Sequence, residues 1–297
     1  MRMHQRSVLL LFCSLSILIS VAQKRDKKLQ RQVESLVTGF NGDLGIYVKN
    51  LKNGKTVRIN ADTIFPTASM IKIPILIGVM DKINQGQLSY HQSLQYRDSL
   101  LYAGVDMLGS FKDTERIELS KVIMLMLTMS DNTASLWLQS LAGKGTRINE
   151  IMASAGLKHT RVNSRTPGRE GNRTQYGWGQ TTPYEMAALM EKLVNGQMIN
   201  REKSNQMLRL LSRNYWDEQA ISEIPADVLV ASKGGAVNGS RSEVLLVNGK
   251  GARYIFCICT KNIKDESWED GNEAWVLTKK LSRLLWAHFG KRVTGIQ

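Results

Sequence analysis

Residues 67–74 read TASMIKIP, a serine and a lysine three apart inside the apolar run Met70, Ile71, Ile73, Ile75, Leu76 and Ile77. An ammonium in an apolar interior is costly unless it is paired, hydrogen-bonded or neutralised, so Lys72 needs a reason to be there. The run continues through Val79 and Met80 without turn residues, which predicts a buried helix rather than a strand. Pro74 fits if that helix begins near Ser69. Ser69 and Lys72 then lie one turn apart on one face, with the amine in reach of the serine hydroxyl. Such a serine is a candidate nucleophile. Alone, a single S-x-x-K match is also what chance supplies in a chain of this length.

Two further stretches bear on the choice. Residues 126–134, MLTMSDNTA, carry Ser130, Asp131 and Asn132 between two apolar helical stretches; helix capping alone would explain a serine or aspartate there. Residues 228–236, VLVASKGGA, take a strand through Lys233 into Gly234 and Gly235, which alone would be a strand end with a solvated lysine.

Outward from these, Leu29, Val33, Leu36, Val37 and Phe40 predict an amphipathic first helix, and Leu44–Lys49 with Thr56–Asn60 flank a hairpin turn at Lys52-Asn53-Gly54. From Ser69 to about Leu211 the pattern is helical, with starts expected at Thr114, Thr146 and Thr182; the last, Thr182-Pro183-Tyr184-Glu185, is a capping box with proline at its first position. Strand patterns return at Val228–Ser232, Glu243–Val247 and Arg253–Thr260, with a turn at Asn248-Gly249, and a last helix runs from about Glu273 to Phe289. The fold class expected is α+β. One lobe is an antiparallel sheet sandwiched by helices (23–64 and 215–297), and the other is an all-helical lobe (65–214), within one domain over 23–297.

S-x-x-K, then S-D-N, then K-[TS]-G, in this order and in these settings, resembles the signature of penicillin-binding proteins and class A β-lactamases. Phe65-Pro66 before the serine and Thr181-Thr182-Pro183 before a helix favour the class A branch, and the resemblance covers nearly all of residues 23–297. It implies the β-lactamase/transpeptidase-like fold and an acyl-enzyme mechanism. Ser69 would attack the lactam carbonyl, Lys72 would help take its proton directly or through a water, and Ser130 would pass a proton to the leaving nitrogen. Asn132 would hold Lys72 and the substrate amide, and Lys233 would face the substrate carboxylate. The backbone N–H groups of Ser69 and Ala236, beyond Gly235, would form the oxyanion hole, each donor worth about 3 kcal/mol of barrier. Arg241 resembles a family arginine that contacts the same carboxylate; as a sequence feature it is equally a surface strand arginine.

Two departures from the pattern bear on function. Gly234 stands where the family has a Thr or Ser hydroxyl, a loss of about 1.5–3 kcal/mol when the partner is charged. The glutamate that activates the deacylating water is expected near Thr166, in SRTPGREGNRTQYG (164–177), and the loop's one carboxylate is Glu170. Glu170 is the candidate base if the loop is shifted. Three readings follow: a class A-like β-lactamase with slow deacylation; an acyl-serine hydrolase or peptidase on a non-lactam envelope substrate; and a non-hydrolytic penicillin-binding protein that acylates once.

The opening MRMHQRSVLLLFCSLSILISVAQ predicts a secretory signal peptide over 1–22, hence export, the periplasm being expected in a host with two membranes. Without Arg2 and Arg6 the chain carries 38 Lys+Arg against 26 Asp+Glu, a charge of +12 that suits anionic envelope polymers. No basic run interleaved with aromatics suggests nucleic acid. Cys257 and Cys259, two apart on a strand, face one side and predict buried thiols rather than a disulfide. His91, His159 and His288 are scattered, so no metal site or serine–histidine triad is signalled. The expectation is a monomer without cofactor that acts on a small β-lactam or related amide.

Overall fold

A computed structural model describes residues 24–104 and 106–290; the signal peptide predicted over 1–22 lies outside them. The chain opens with α1 (Lys27–Leu36), started by Asp26, whose carboxylate accepts the Leu29 N–H at 3.1 Å. The hairpin β1 (Asp43–Asn50) and β2 (Thr56–Ile59) follows. After the two-residue β3 (Phe65–Pro66), a 3₁₀ turn over Ala68–Ile71 leads into α2 (Lys72–Asn84).

The middle of the chain holds β4 (Ser93–Gln95), β5 (Arg116–Glu118), α3 (Leu119–Thr128), α4 (Asn132–Leu141), α5 (Lys144–Ser154), β6 (Arg161–Val162), α6 (Glu170–Tyr176), β7 (Gly179–Thr181), α7 (Pro183–Val194) and α8 (Arg201–Leu211). It closes with β8 (Leu229–Val237), β9 (Ser240–Asn248), β10 (Arg253–Lys261) and α9 (Glu273–Phe289). The five long strands form one antiparallel sheet in the order β2-β1-β10-β9-β8, so first and last segments share a sheet as expected.

The sheet's period-two alternation divides the core. Ile255, Cys257 and Cys259 of β10 face the helical layer built on α2, whereas Tyr254, Phe256 and Ile258 face α1 and α9. Both cysteines are buried and unbridged, their sulfurs 3.6 Å apart. α2 is buried along Lys72–Met80, which is why its sequence is apolar on every side.

Three expectations about the middle block need correction, the smallest being that α5 starts at Lys144 after Gly143 rather than at Thr146. The block is not purely helical: β3, β7 and β6 form one small ladder, and β4 pairs with β5 in another. Strands of two or three residues are too short to show an alternation. Thr114 also does not start a helix. It sits at φ +70°, Arg116–Glu118 pair with Ser93–Gln95, and α3 begins only at Leu119.

The Thr182 start is as read, with the threonine oxygen accepting the Glu185 N–H at 3.1 Å and Pro183 in the first turn. Glu185 does not close the box on Thr182. Its buried carboxylate accepts the N–H groups of Lys158, His159 and Thr160 and the Thr160 hydroxyl, which ties the approach to β6 onto α7.

Candidate functional site

Ser69 lies half-buried in the 3₁₀ turn that opens α2, where first-turn N–H groups lack intrahelical partners. The residue before it, Ala68, is at φ +43°, and Ser130 is at φ +59°. Strained φ values at non-glycine residues cost of order 1–3 kcal/mol each and persist only where surroundings enforce them. Around Ser130 the enforcement is visible. Asp131 is buried, and its two oxygens accept the Ala134 N–H at 2.7 Å and the Leu108 N–H at 2.8 Å. Asp106 accepts the Thr133 N–H at 2.7 Å and the Thr133 hydroxyl at 3.0 Å.

Both lysines converge on the Ser130 hydroxyl. Lys72, fully buried, places Nζ 3.1 Å from Ser130 Oγ and 2.9 Å from Asn132 Oδ1, and it also bonds the Ser130 carbonyl. Lys233, 1% exposed, places Nζ 3.1 Å from the same Oγ and 3.0 Å from the Gly234 carbonyl. Ser69 is not among the partners of Lys72, contrary to the direct contact expected from helical spacing. The amine reaches across to the loop before α4, where two carbonyl oxygens and a hydroxyl compensate its burial.

Burial holds Lys72 well below the ordinary lysine value, and the Lys233 charge adds to this; Asp106 and Asp131 oppose it. Burial lowers Lys233 to about 8, opposed by Glu243. Glu243, buried and paired in register with Gly234, is itself raised to about 7 by burial, opposed by the Ala220 N–H and by Lys233. Burial thus biases Lys72 towards its neutral form, while Lys233, lowered to about 8, stays charged near neutral pH. Lys72 Nζ faces three acceptors, the Ser130 carbonyl, Ser130 Oγ and Asn132 Oδ1; on loss of one proton its lone pair can accept the Ser130 O–H in place of one of these bonds. The Lys233 ammonium donates to the other side of that hydroxyl.

β8 completes the site by its closeness to the nucleophile. A Cβ on Gly235 would lie 2.6 Å from Ser69 N, 2.6 Å from Thr67 O and 3.0 Å from Ala68 Cβ, so only glycine allows this approach. Ala236 then lines the same cleft as Ser69 and Asn132, a cavity of about 640 Å³. Gly234 has room: an added Cβ would meet nothing nearer than Glu243 Cγ at 3.8 Å.

Two predicted site residues are not brought here. Glu170 is exposed at the first position of α6, where its Oε1 accepts the Gly168 N–H at 3.1 Å, so it serves the turn it starts rather than the cleft. Thr166, where the sequence pattern expects a base, is buried and donates to the Ser164 carbonyl at 2.9 Å. Asn163, also buried, is gripped by Arg169 Nε at 2.9 Å. Arg241 is likewise turned away. Its guanidinium sits in the corner formed by the edge-to-face Trp268 and Trp275 rings, 4.4 and 4.8 Å from their centroids, and donates to the carbonyls of Val237, Ser240 and Ser267. Flanking tryptophans thirty residues on are invisible to a motif.

Sequence reasoning missed Tyr102 and Trp178, whose rings meet edge to face at 5.0 Å and line the cleft, as well as Asp106 and Glu243. Tyr102, Asp106 and Trp178 stand singly outside the regular elements, and Glu243 reads only as part of a strand, so none gives a spacing signal.

Residues 28–289 match the family described as the beta-lactamase enzyme family. Among curated proteins the chain is similar to an imipenem-hydrolyzing beta-lactamase of Enterobacter cloacae, 24% identical over 283 residues that cover 91% of this chain and 94% of that one. It is also similar to beta-lactamase VEB-1 of Pseudomonas aeruginosa, 21% identical over 77% and 79% of the two chains. Among solved structures, PBP-A superposes with a TM-score of 0.78 at 23% identity, covering 90% of this chain and 98% of its own, and a variant of it is described as an acyl-enzyme complex with penicillin G. A beta-lactamase of Chitinophaga pinensis gives 0.78 at 18% identity over 88% and 99%. These structural likenesses establish the β-lactamase/transpeptidase-like fold.

Proposed function

Since this chain belongs to the beta-lactamase enzyme family, we propose that it opens β-lactam rings by a class A-like serine mechanism in which the acyl-enzyme forms readily and is released slowly. The observation that carries this reading is the Ser130 hydroxyl held 3.1 Å from both lysine amines. In the resting site the Ser130 O–H donates to neutral Lys72. When a lactam binds with its carbonyl at the Ser69 and Ala236 amides, Lys72 turns its lone pair from Ser130 to the Ser69 hydroxyl one helical turn away. Ser69 Oγ bonds the carbonyl carbon and its proton passes to Lys72. As the C–N bond breaks, Ser130 gives its proton to the lactam nitrogen and Lys72 returns one to Ser130, so the site ends neutral. Lys233 polarises Ser130 throughout and attracts the substrate carboxylate.

Slow release follows from the loop. With Glu170 facing solvent and Thr166 in place of a carboxylate, the base left for the hydrolytic water is Lys72. That same observation favours the second reading, a protein that acylates once and holds the adduct. Room beside Gly234 and the withdrawal of Arg241 leave Lys233 as the main cation for a substrate carboxylate, which favours weak lactam capture. Export through the segment 1–22 to the periplasm, a monomeric state and attraction to anionic envelope polymers are parts of the same proposal and rest on the sequence.

The pH dependence of acylation tests the assignment. Lys233 must be protonated, and it deprotonates at about 8, so kcat/KM for a penicillin is expected to fall tenfold per pH unit above that value. A profile flat to pH 10 would remove Lys233 from the relay.

A further inference from the structure

We infer that Glu266 is a specificity-determining residue that receives an ammonium group carried on the acyl side of the substrate, an inference that rests on the acyl-enzyme reading of the same cleft. β8 is the edge strand of the sheet and ends at Val237; beyond Ala236, Val237 and the turn residues Asn238 and Gly239 line the cleft that begins at Ser69. An acyl chain following that edge leaves the nucleophile beside Ala236 and meets the turn at Gly239 three residues on, at most about 10 Å away, the limit for extended chain. Glu266 stands at that end of the cleft, its Oε1 3.5 Å from where a Gly239 Cβ would be.

The position is built. Arg241, packed in the corner of the Trp268 and Trp275 rings, donates to the Ser267 carbonyl at 2.8 Å and the Glu266 carbonyl at 3.5 Å. Trp268 Nε1 donates to Asn238 Oδ1 at 3.3 Å, which ties the loop to the β8–β9 turn. Asp265 accepts the Ser267 N–H at 3.0 Å and the Glu273 N–H at 2.8 Å, anchoring the loop to the start of α9. Arg241, read from sequence as a substrate contact, is in this account the residue that positions Glu266.

The other charged residue lining this cleft is Lys261, and its charge is engaged: Nζ donates to the Ile64 carbonyl at 3.1 Å and lies 5.1 Å from the Phe65 ring centroid. Glu266 makes no ion pair within 4.0 Å among the described residues, so its carboxylate is available to a ligand. The chemical class it selects is an acyl donor with a free ammonium within about 10 Å of the scissile carbonyl.

Two penicillins that differ in one group test this: one with a 5-aminopentanoyl side chain and one with a pentanoyl side chain, both with the full-length mature protein. Wild type is expected to be acylated about five-fold faster by the aminated compound, with the preference shrinking as salt is raised. Glu266→Gln, an exposed substitution, is expected to equalise the two rates and leave the pentanoyl rate unchanged. A preference that persists in Glu266→Gln, or is absent in wild type, overturns the inference. Equilibrium binding of the same pair to Ser69→Ala protein separates it from the functional reading. A binding preference that Glu266→Gln removes, without lactam turnover in wild type, upholds the subsite and sinks only the β-lactamase reading. Equal affinity, including none measurable, sinks the subsite.

Discussion

Ser69→Ala protein will take no covalent penicillin and release no chromophore from a cephalosporin, a loss on the order of 10⁶ in rate if the nucleophile behaves like that of other serine acyl enzymes. The substitution removes one half-buried oxygen at the mouth of α2, and no hydrogen bond among the described residues depends on it. Fold and reversible binding should therefore survive. Intact-mass spectrometry after incubation with penicillin reads the result directly, and a urea melt shows that the protein remains folded. An adduct of undiminished yield on this variant would move the nucleophile elsewhere, with Ser130 the first suspect because both amines address it.

Gly235→Ala is expected to cost at least about 10² in acylation rate. Its methyl would lie 2.6 Å from both Ser69 N and Thr67 O. These are backbone atoms of a 3₁₀ turn held by the Thr67 N–H donating to the Gly179 carbonyl at 2.9 Å, so β8 must back away instead. Retreat of β8 separates the Ser69 and Ala236 amides, and a misplaced oxyanion donor costs about 2.7–4 kcal/mol. The overpacking should also destabilise the fold by about 1–3 kcal/mol, measurable in urea. The adjacent Gly234 supplies the control. A side chain there meets nothing closer than 3.8 Å, so Gly234→Ala should leave the acylation rate close to wild type. Equal effects at both glycines would mean that strand flexibility, not the approach to Ser69, is what position 235 provides.

Where sequence and structure agree, the signal was periodic or steric. The buried α2 was legible because every face of Lys72–Met80 is apolar. The sheet was legible because β1, β9 and β10 are short apolar runs, buried on both faces, and α9 because Leu281 and Leu285 recur at helical spacing in a helix that runs to Phe289 as read. The three motifs also lie together as the family resemblance implied, since α2, the start of α4 and β8 bring Lys72, Ser130 and Lys233 within hydrogen-bond reach.

What the sequence did not give depends on direction rather than position. Helical spacing placed Lys72 beside Ser69 but could not tell that its amine turns to Ser130 and Asn132, because three acceptors there outweigh one hydroxyl. Glu170 was the loop's one carboxylate, yet α6 begins at that residue and its side chain closes the turn at Gly168. Arg241 sits in the expected strand, but two indoles and three well-aligned carbonyls hold its guanidinium outside the cleft. Side-chain direction is set by tertiary neighbours that no local pattern encodes. The same limit hid Glu266, whose interest comes only from the strand edge it faces.

Mixing the mature protein with a chromogenic cephalosporin, and following colour together with intact mass, tests the central claim most directly. The account predicts a burst equivalent to one chromophore per protein, an adduct on Ser69, and then slow continued release as Lys72 serves the hydrolytic water. Fast sustained turnover with no adduct at any time would contradict it, since it would require an efficient deacylating base that neither Glu170 nor Thr166 supplies in this structure.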